Sequence, residues 1–193
     1  EARFVLTGSQ NFLLNEKITQ SLAGRAGIVT LLPLSLHELE NRIPNSQYED
    51  WIVRGFYPEL YNRNVPSELF YPAYVQTYLE RDVRSLHNVG NLAQFNLFLK
   101  LCAGRTGQVL NISALAADAG VSVNTGKAWL SVLEASYIIF KLQPHYRNYN
   151  KRLVKSPKLY FSDTGLACHL LGIEKASQLT THYAVGALFE NFV

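Results

Sequence analysis

The segment Gly120-Val121-Ser122-Val123-Asn124-Thr125-Gly126-Lys127-Ala128 is where residue types and spacing come nearest to nucleotide chemistry. A phosphate-binding loop needs four residues between its glycines, so that successive backbone N–H groups curl round the phosphates, and a hydroxyl after the lysine to hold magnesium. Here five residues intervene, alanine follows Lys127 and no buried strand leads in, so the segment is not read as a nucleotide site. The other reactive side chains are scattered. His37, His87, His145, His169 and His182 never fall four residues apart, and none lies near a second good metal ligand. No G-x-S-x-G elbow occurs, and Asp163 and Glu190 stand too far apart in sequence to suggest an acid–base pair. Cys102 and Cys168 lie among apolar neighbours with no zinc-like spacing. They read as small core side chains, and two unpaired thiols fit a reducing cytosol. No metal site is expected, and nothing makes a positive case for catalysis by this chain alone.

Charge offers more. From Ala135 to Ser162 there are six Lys or Arg residues and no acid: Lys141, Arg147, Lys151, Arg152, Lys155 and Lys158, interleaved with Tyr146, Tyr149 and Tyr160. Residues 1–134 carry 11 basic and 12 acidic side chains, while residues 135–193 carry 7 and 3, so the whole excess of +3 lies in the last third. Lys and Arg can neutralise phosphates with release of counterions, and Tyr hydroxyls can add hydrogen bonds. A solvated loop is an equally open reading, and a contact onto an acidic face of the same protein is a third.

The elements that must position these cations are legible. Ile112–Ala119 and Ser122–Ala135 read as two short helices round a turn at Ala119-Gly120-Val121, with Asn111 or Ser113 capping the first and Ser122 the second. Ile112, Leu115 and Ala116 are assigned inward, as are Trp129, Leu130 and Leu133. Asn124, Thr125, Lys127, Ala128 and Ser131 are left for solvent or a partner. Strand-like runs at Tyr137–Leu142 and Lys158–Ser162 follow, separated by a polar loop. Helix–turn–helix plus hairpin is the winged-helix order, which predicts a docking module. The second helix could enter a major groove, but it offers one cation and no Arg for a bidentate contact to guanine. Winged helices also serve as protein–protein modules, so DNA and protein contact both stand.

Elsewhere the pattern predicts a buried strand at Arg3–Ser9, a helix over 11–23, a strand at Ala26–Leu32, and a short helix capped by Ser35. It then gives a helix at Tyr48–Val53 closed by Gly55, and a loop from Pro58 to Pro66. A long helix at Ser67–Leu86 carries Leu69, Phe70, Tyr74, Tyr78, Leu79 and Val83 along one stripe, with Glu80, Arg81 and Arg84 opposite. Next comes Leu92–Ala103, with Phe95, Leu97, Phe98 and Leu101 too apolar for a free surface and a left-handed cap at Gly104. Short helices close the chain at Thr164–Leu171 and Ala184–Val193. At 193 residues, 48% hydrophobic and 12% aromatic, there is ample material for a core. No apolar run approaches the roughly 18 residues needed to span a bilayer, and no signal peptide opens the chain. Lacking Met even at position 1, the chain reads as a piece of a longer one.

Several motifs together resemble a known family. Phe4-Val5-Leu6-Thr7-Gly8-Ser9, Ser21-Leu22-Ala23-Gly24-Arg25 and Leu31-Leu32-Pro33-Leu34-Ser35 resemble the end of an AAA+ ATPase core. Gly55-Phe56-Tyr57-Pro58-Glu59, Tyr78-Leu79-Glu80-Arg81-Asp82-Val83 and the run from Lys151 through Ser162-Asp163-Thr164-Gly165 to Leu166 resemble the C-terminal domain of unknown function attached to a group of predicted prokaryotic AAA+ ATPases. The resemblance implies that Ser9 or Gln10 faces the γ-phosphate. It also implies that Arg25 is an arginine finger acting on a neighbour's nucleotide; capping of the preceding helix by Arg25 is the alternative. Family members continue past the segment resembling Gly186–Val193 into a nuclease-like region, of which Glu190 could be the first acid.

The expected fold is mainly α with small β: a remnant of an AAA+ α/β core at 1–40, a helical region at 41–105, a winged helix at 106–175, and the start of a further region at 176–193. Ser9 and Arg25 are the expected catalytic residues, and Asn124, Thr125, Lys127, Lys151, Arg152 and Lys155 the expected contacts to a partner. No cofactor is expected in this chain, whereas ATP and magnesium are implied for the parent. The expected partners are the rest of the parent ATPase, duplex DNA as the alternative, or a second copy in a homo-oligomer, in a cytoplasmic setting with no membrane.

Overall fold

A computed structural model describes residue 27 and residues 29–39, 47–79, 92–145 and 156–193. Among these the chain is mostly helical with one two-stranded sheet. The expected strand at Arg3–Ser9, the helix over 11–23, and Ser9, Arg25, Lys151, Arg152 and Lys155 lie outside the described residues.

The first described segment corrects an expectation. Residues 29–32 form no strand and stand in solvent, with Val29 84% and Leu31 91% exposed. An apolar run needs a sheet neighbour to become a strand, and no described residue supplies one. The segment is tied down by Leu34, whose N–H donates to Phe56 O at 2.8 Å. Helix α1 (Leu36–Leu39) follows. Its lead residue Ser35 donates through both N–H and hydroxyl to Glu38 Oε2, which holds the Glu38 carboxyl below its ordinary pKa.

Helices α2 (Tyr48–Arg54), α3 (Pro58–Asn62) and α4 (Ser67–Tyr74) come next. The loop expected from Pro58 is instead helical to Asn62, because proline at a first helical position sacrifices no hydrogen bond and presets φ. The long helix expected over Ser67–Leu86 is α-helical only to Tyr74 and continues as a π-helical turn over Val75–Leu79. Pro72 sits inside it without an N–H to donate. Of the predicted stripe, Phe70 and Tyr74 pack partly buried against the core and Leu69 is 67% exposed, while Tyr71, left off the stripe, is 1% exposed. Residues 80–86 of the expected helix lie outside the described residues.

Helix α5 spans Leu92–Ala103 as expected, burying Phe95, Phe98, Leu99 and Cys102, but Leu97 faces outward. Its exit is not the left-handed glycine expected at Gly104. Positive φ (74°) occurs three residues later, at Gly107. Helices α6 (Ile112–Asp118) and α7 (Val123–Ala135) precede strands β1 (Ile139–Leu142) and β2 (Lys158–Phe161). Helices α8 (Thr164–Leu170), α9 (Ala176–Leu179) and α10 (Val185–Phe192) complete the chain.

One apolar core unites these elements. Side chains from 52–103, from 110–173 and from 179–188 all enter it, including both cysteines. Burial pushes the Cys102 thiol up to about 12 and the Cys168 thiol still higher, so both stay protonated and inert. Leu39, Trp51 and Phe56 form a smaller cluster that seats Leu34 and the end of α10. Among the described residues no helix is long and apolar enough to cross a membrane.

Candidate partner-binding face and the buried carboxylate behind it

The α6–turn–α7 unit is built by its caps. Asn111 Oδ1 accepts the Ala114 N–H at 3.0 Å, which decides between Asn111 and Ser113. Ser122 Oγ accepts the Thr125 N–H at 3.1 Å. Between the helices, Val121 N–H returns to Ala116 O at 2.9 Å. Gly126 allows the two helices to touch: a Cβ there would stand 3.1 Å from Ala116 Cβ. The two glycines of the near-miss phosphate loop thus serve a turn and a helix crossing. Trp129, Leu130 and Leu133 face the core, with Trp129 edge-on to Phe95 and Phe98 at 5.4 and 5.3 Å.

That leaves Asn124, Lys127, Ala128 and Ser131 exposed, as the helical period requires. Thr125 is half-buried and its hydroxyl lies 2.8 Å from Ser122 Oγ, so it belongs to the cap. Ser131 Oγ donates to Lys127 O within the helix.

The hairpin pairs Ile139 with Phe161 and Phe140 with Tyr160. Ile139, Leu159 and Phe161 enter the core, while Phe140 stacks outside on Tyr160 at 5.4 Å and stays 42% exposed. The far side of β2 is also occupied. Leu159 exchanges backbone hydrogen bonds with Gly107 and Gln108, Leu110 N–H donates to Pro157 O, and the Asn191 side-chain amide brackets the Phe161 peptide with two bonds of 2.8 Å.

Two of the six hairpin cations are committed within the molecule. Lys141 Nζ meets Glu134 at 2.8 Å, and Lys158 Nζ meets Glu190 at 2.5 Å. Glu190 also receives the Tyr160 hydroxyl. Hydrogen bonds from Lys158 and Tyr160 hold the Glu190 carboxyl below its ordinary range, and the bond to Glu190 raises Lys158. Arg147, Lys151, Arg152 and Lys155 lie outside the described residues.

Behind this face lies a group that sequence spacing passed over. Asp163 is 1% exposed and takes three donors: Phe56 N–H at 2.6 Å on Oδ2, and the Tyr71 hydroxyl and Leu166 N–H at 2.7 Å on Oδ1. The last of these makes it the cap of α8. Burial pushes the Asp163 carboxyl above its ordinary range, while these donors pull it back. Tyr71, buried beside the carboxylate, is held well above the usual phenol value. Its one proton has two acceptors, Asp163 Oδ1 and Arg54 O at 2.9 Å. With Asp163 ionised the phenol donates to it. With Asp163 protonated on Oδ1, the acid donates to the phenol and frees its proton for Arg54 O. Arg54 O thus receives the phenol proton only in the second state.

Glycines make room for it. A Cβ on Gly55, where φ is 77°, would fall 1.9 Å from the Tyr71 hydroxyl, and one on Gly165 would fall 2.2 Å from the same oxygen. The Gly55–Glu59 and Ser162–Gly165 motifs, distant in sequence, therefore meet here. The available signal was Asp163 one residue before a helix start, which is a cap pattern. Its partners were not legible.

Neither the cleft lined by residues from 50–68 and 174–176 nor the one lined by residues from 100–108 and 170–183 includes Asp163, and among the described residues no three His, Cys, Asp or Glu side chains group to hold a metal. An open cleft lined by Arg54, Asn64, Glu68 and Lys175 has its guanidinium already bound to Leu60 O and Asn64 Oδ1.

Uncharacterized proteins of Mycobacterium tuberculosis and Mycobacterium bovis are each 31% identical over all 193 residues, and the chain spans 43% of the length of each. No solved structure matches. Residues 1–40 match the model of an AAA domain. Residues 45–177, which hold the buried carboxylate, the helix pair and the hairpin, match the family described as Domain of unknown function (DUF8612), and the chain belongs to that family.

Proposed function

We propose that the chain is the C-terminal part of a cytoplasmic AAA+ ATP-binding protein, in which residues 106–175 form a winged helix that acts as an interaction module. The observation that carries this reading is the order α6–turn–α7–hairpin with an outward α7 face, Asn124, Lys127, Ala128 and Ser131, that the core leaves unused. The AAA match over residues 1–40 supports assigning ATP and magnesium to the parent protein. In that parent, turnover would move the module relative to the ATPase core. Ser9 would sense the γ-phosphate, and Arg25 would reach a neighbouring subunit's nucleotide. The test is ATP hydrolysis by the full-length protein. Arg25→Ala should lower turnover by about 10³-fold; unchanged turnover removes the finger, and absence of any hydrolysis removes the reading.

A second reading, duplex-DNA binding, is favoured by the acid-free run from Ala135 to Ser162. With Lys141 and Lys158 committed to acids, Arg147, Lys151, Arg152 and Lys155 would carry the phosphate contacts. Neutralising Lys151, Arg152 and Lys155 should then flatten the dependence of log affinity on log salt by roughly 2.7, at about 0.9 per contact. Absence of binding at low salt ends this reading.

A further inference from the structure

The backbone of Phe56 has two long-range partners, one on each of the amides that flank its Cα. Its N–H donates to Asp163 Oδ2 at 2.6 Å, and its C=O accepts the Leu34 N–H at 2.8 Å. Asp163 in turn holds the first turn of α8 through Leu166 N–H, and the adjoining Ser162 N–H donates to Ile138 O, where β1 begins. A continuous track therefore leads from residues 29–39, within the stretch that matches the AAA domain, to the root of the hairpin. It has few alternatives. Val29, Leu31 and Leu32 are exposed, and besides the Leu34 bond only Thr30, through the Tyr137 hydroxyl at 3.1 Å, hydrogen-bonds residues 29–34 to the later chain among the described residues.

We propose that the backbone of Phe56 and Asp163 form a relay coupling the 29–39 segment to α8 and the hairpin, so that pulling the segment away from Phe56 loosens the capping of α8. The two bonds engage the adjacent amides on either side of the Phe56 Cα, so displacing one moves the other through the backbone, and the bond ending on a buried carboxylate is stronger than one between neutral groups. Tyr71 keeps Asp163 oriented when Phe56 shifts, which makes it a positioning residue. Thermodynamic coupling is reciprocal, so disturbing Asp163 must also free Leu34. The inference rests on the AAA+ reading only for what would pull the segment, since the relay itself belongs to this chain.

Amide hydrogen exchange on the 193-residue chain tests it. Leu34→Pro deletes the donor, and Leu34→Ala removes most of the side chain while keeping the N–H. Exchange at Phe56 and at Leu166 should rise about fivefold in the proline variant, as expected for loss of one neutral backbone hydrogen bond, and by much less in the alanine variant. In the reverse direction, Asp163→Asn should speed exchange at Leu34. Should that variant fail to fold, Tyr71→Phe provides the same readout. Equal effects of proline and alanine at position 34, an effect that stops at Phe56, or a Leu34 amide indifferent to both the Asp163 and Tyr71 variants would each overturn the relay. None of these outcomes depends on ATP hydrolysis, so failure here and failure of the ATPase reading are separable.

Discussion

Asp163 and Glu190 each receive a tyrosine hydroxyl, from Tyr71 and Tyr160, yet their environments drive them in opposite directions. Asp163 is enclosed, so loss of water dominates and its carboxyl is pushed up in spite of its donors. Glu190 stays half-exposed beside Lys158, keeps its hydration, and is pulled down. Similar pairs of side chains can therefore be a point on which packing depends or a surface contact worth little. Solvent access decides which.

The contrast can be broken most severely at the glycines. Gly55→Ala should cost roughly 3 kcal/mol or more, from a disfavoured positive φ plus a collision with the Tyr71 oxygen. A denaturant midpoint within error of the parent's would remove the close-approach argument. Next comes the tyrosine pair. Tyr71→Phe should cost about 2 kcal/mol by depriving a buried carboxylate of a donor, whereas Tyr160→Phe should cost under about 1 kcal/mol. Equal losses in urea unfolding would erase the distinction between the sites.

The pH dependence sharpens it further, because the signs oppose. Asp163 binds its proton more tightly folded than unfolded, so its burial costs stability above the folded pKa. That cost is relieved as pH falls through the folded pKa towards 3.8, the ordinary carboxyl value. Unfolding free energy of the parent minus that of Asp163→Asn should therefore grow in acid. Glu190 contributes stability above its unfolded pKa, near 4.5, which is lost as pH falls through its lowered folded value, so the same difference against Glu190→Gln should shrink. Matching slopes in the two comparisons would contradict both assignments. Smallest of all, Lys141→Ala should change stability by roughly 0.5 kcal/mol, since its partner Glu134 is partly solvated.

What could be read beforehand was local. Asn111 and Ser122 announce their helices because a cap is a matter of three or four residues, and Trp129, Leu130 and Leu133 recur with the helical period. Leu92–Ala103 was legible from end to end for the same reason. The misreadings needed information from elsewhere in the chain. Leu69 and Leu97 have the chemistry of core residues but face solvent, while Tyr71 is buried because its hydroxyl finds Asp163, 92 positions away. Pro58 looked like punctuation and is a helix start, because the following residues Glu59 to Asn62 can continue the turn. Of the candidate face, the exposed side of α7 was visible in the sequence. The pairing of Lys158 was not, because Glu190 lies 32 residues beyond it, nor that of Lys141, whose partner Glu134 sits on α7 across the turn into β1.

The Asn191 amide lends the Phe161 peptide both a donor and an acceptor, which is what a neighbouring strand would otherwise provide. A polypeptide shortened to end at Phe189 would strip that clasp away and bare a short stretch of main chain bordered by apolar residues. Such a raw border recruits whatever extended chain drifts past. The shortened form should therefore cluster into oligomers on standing, while a version retaining Asn191 stays dispersed.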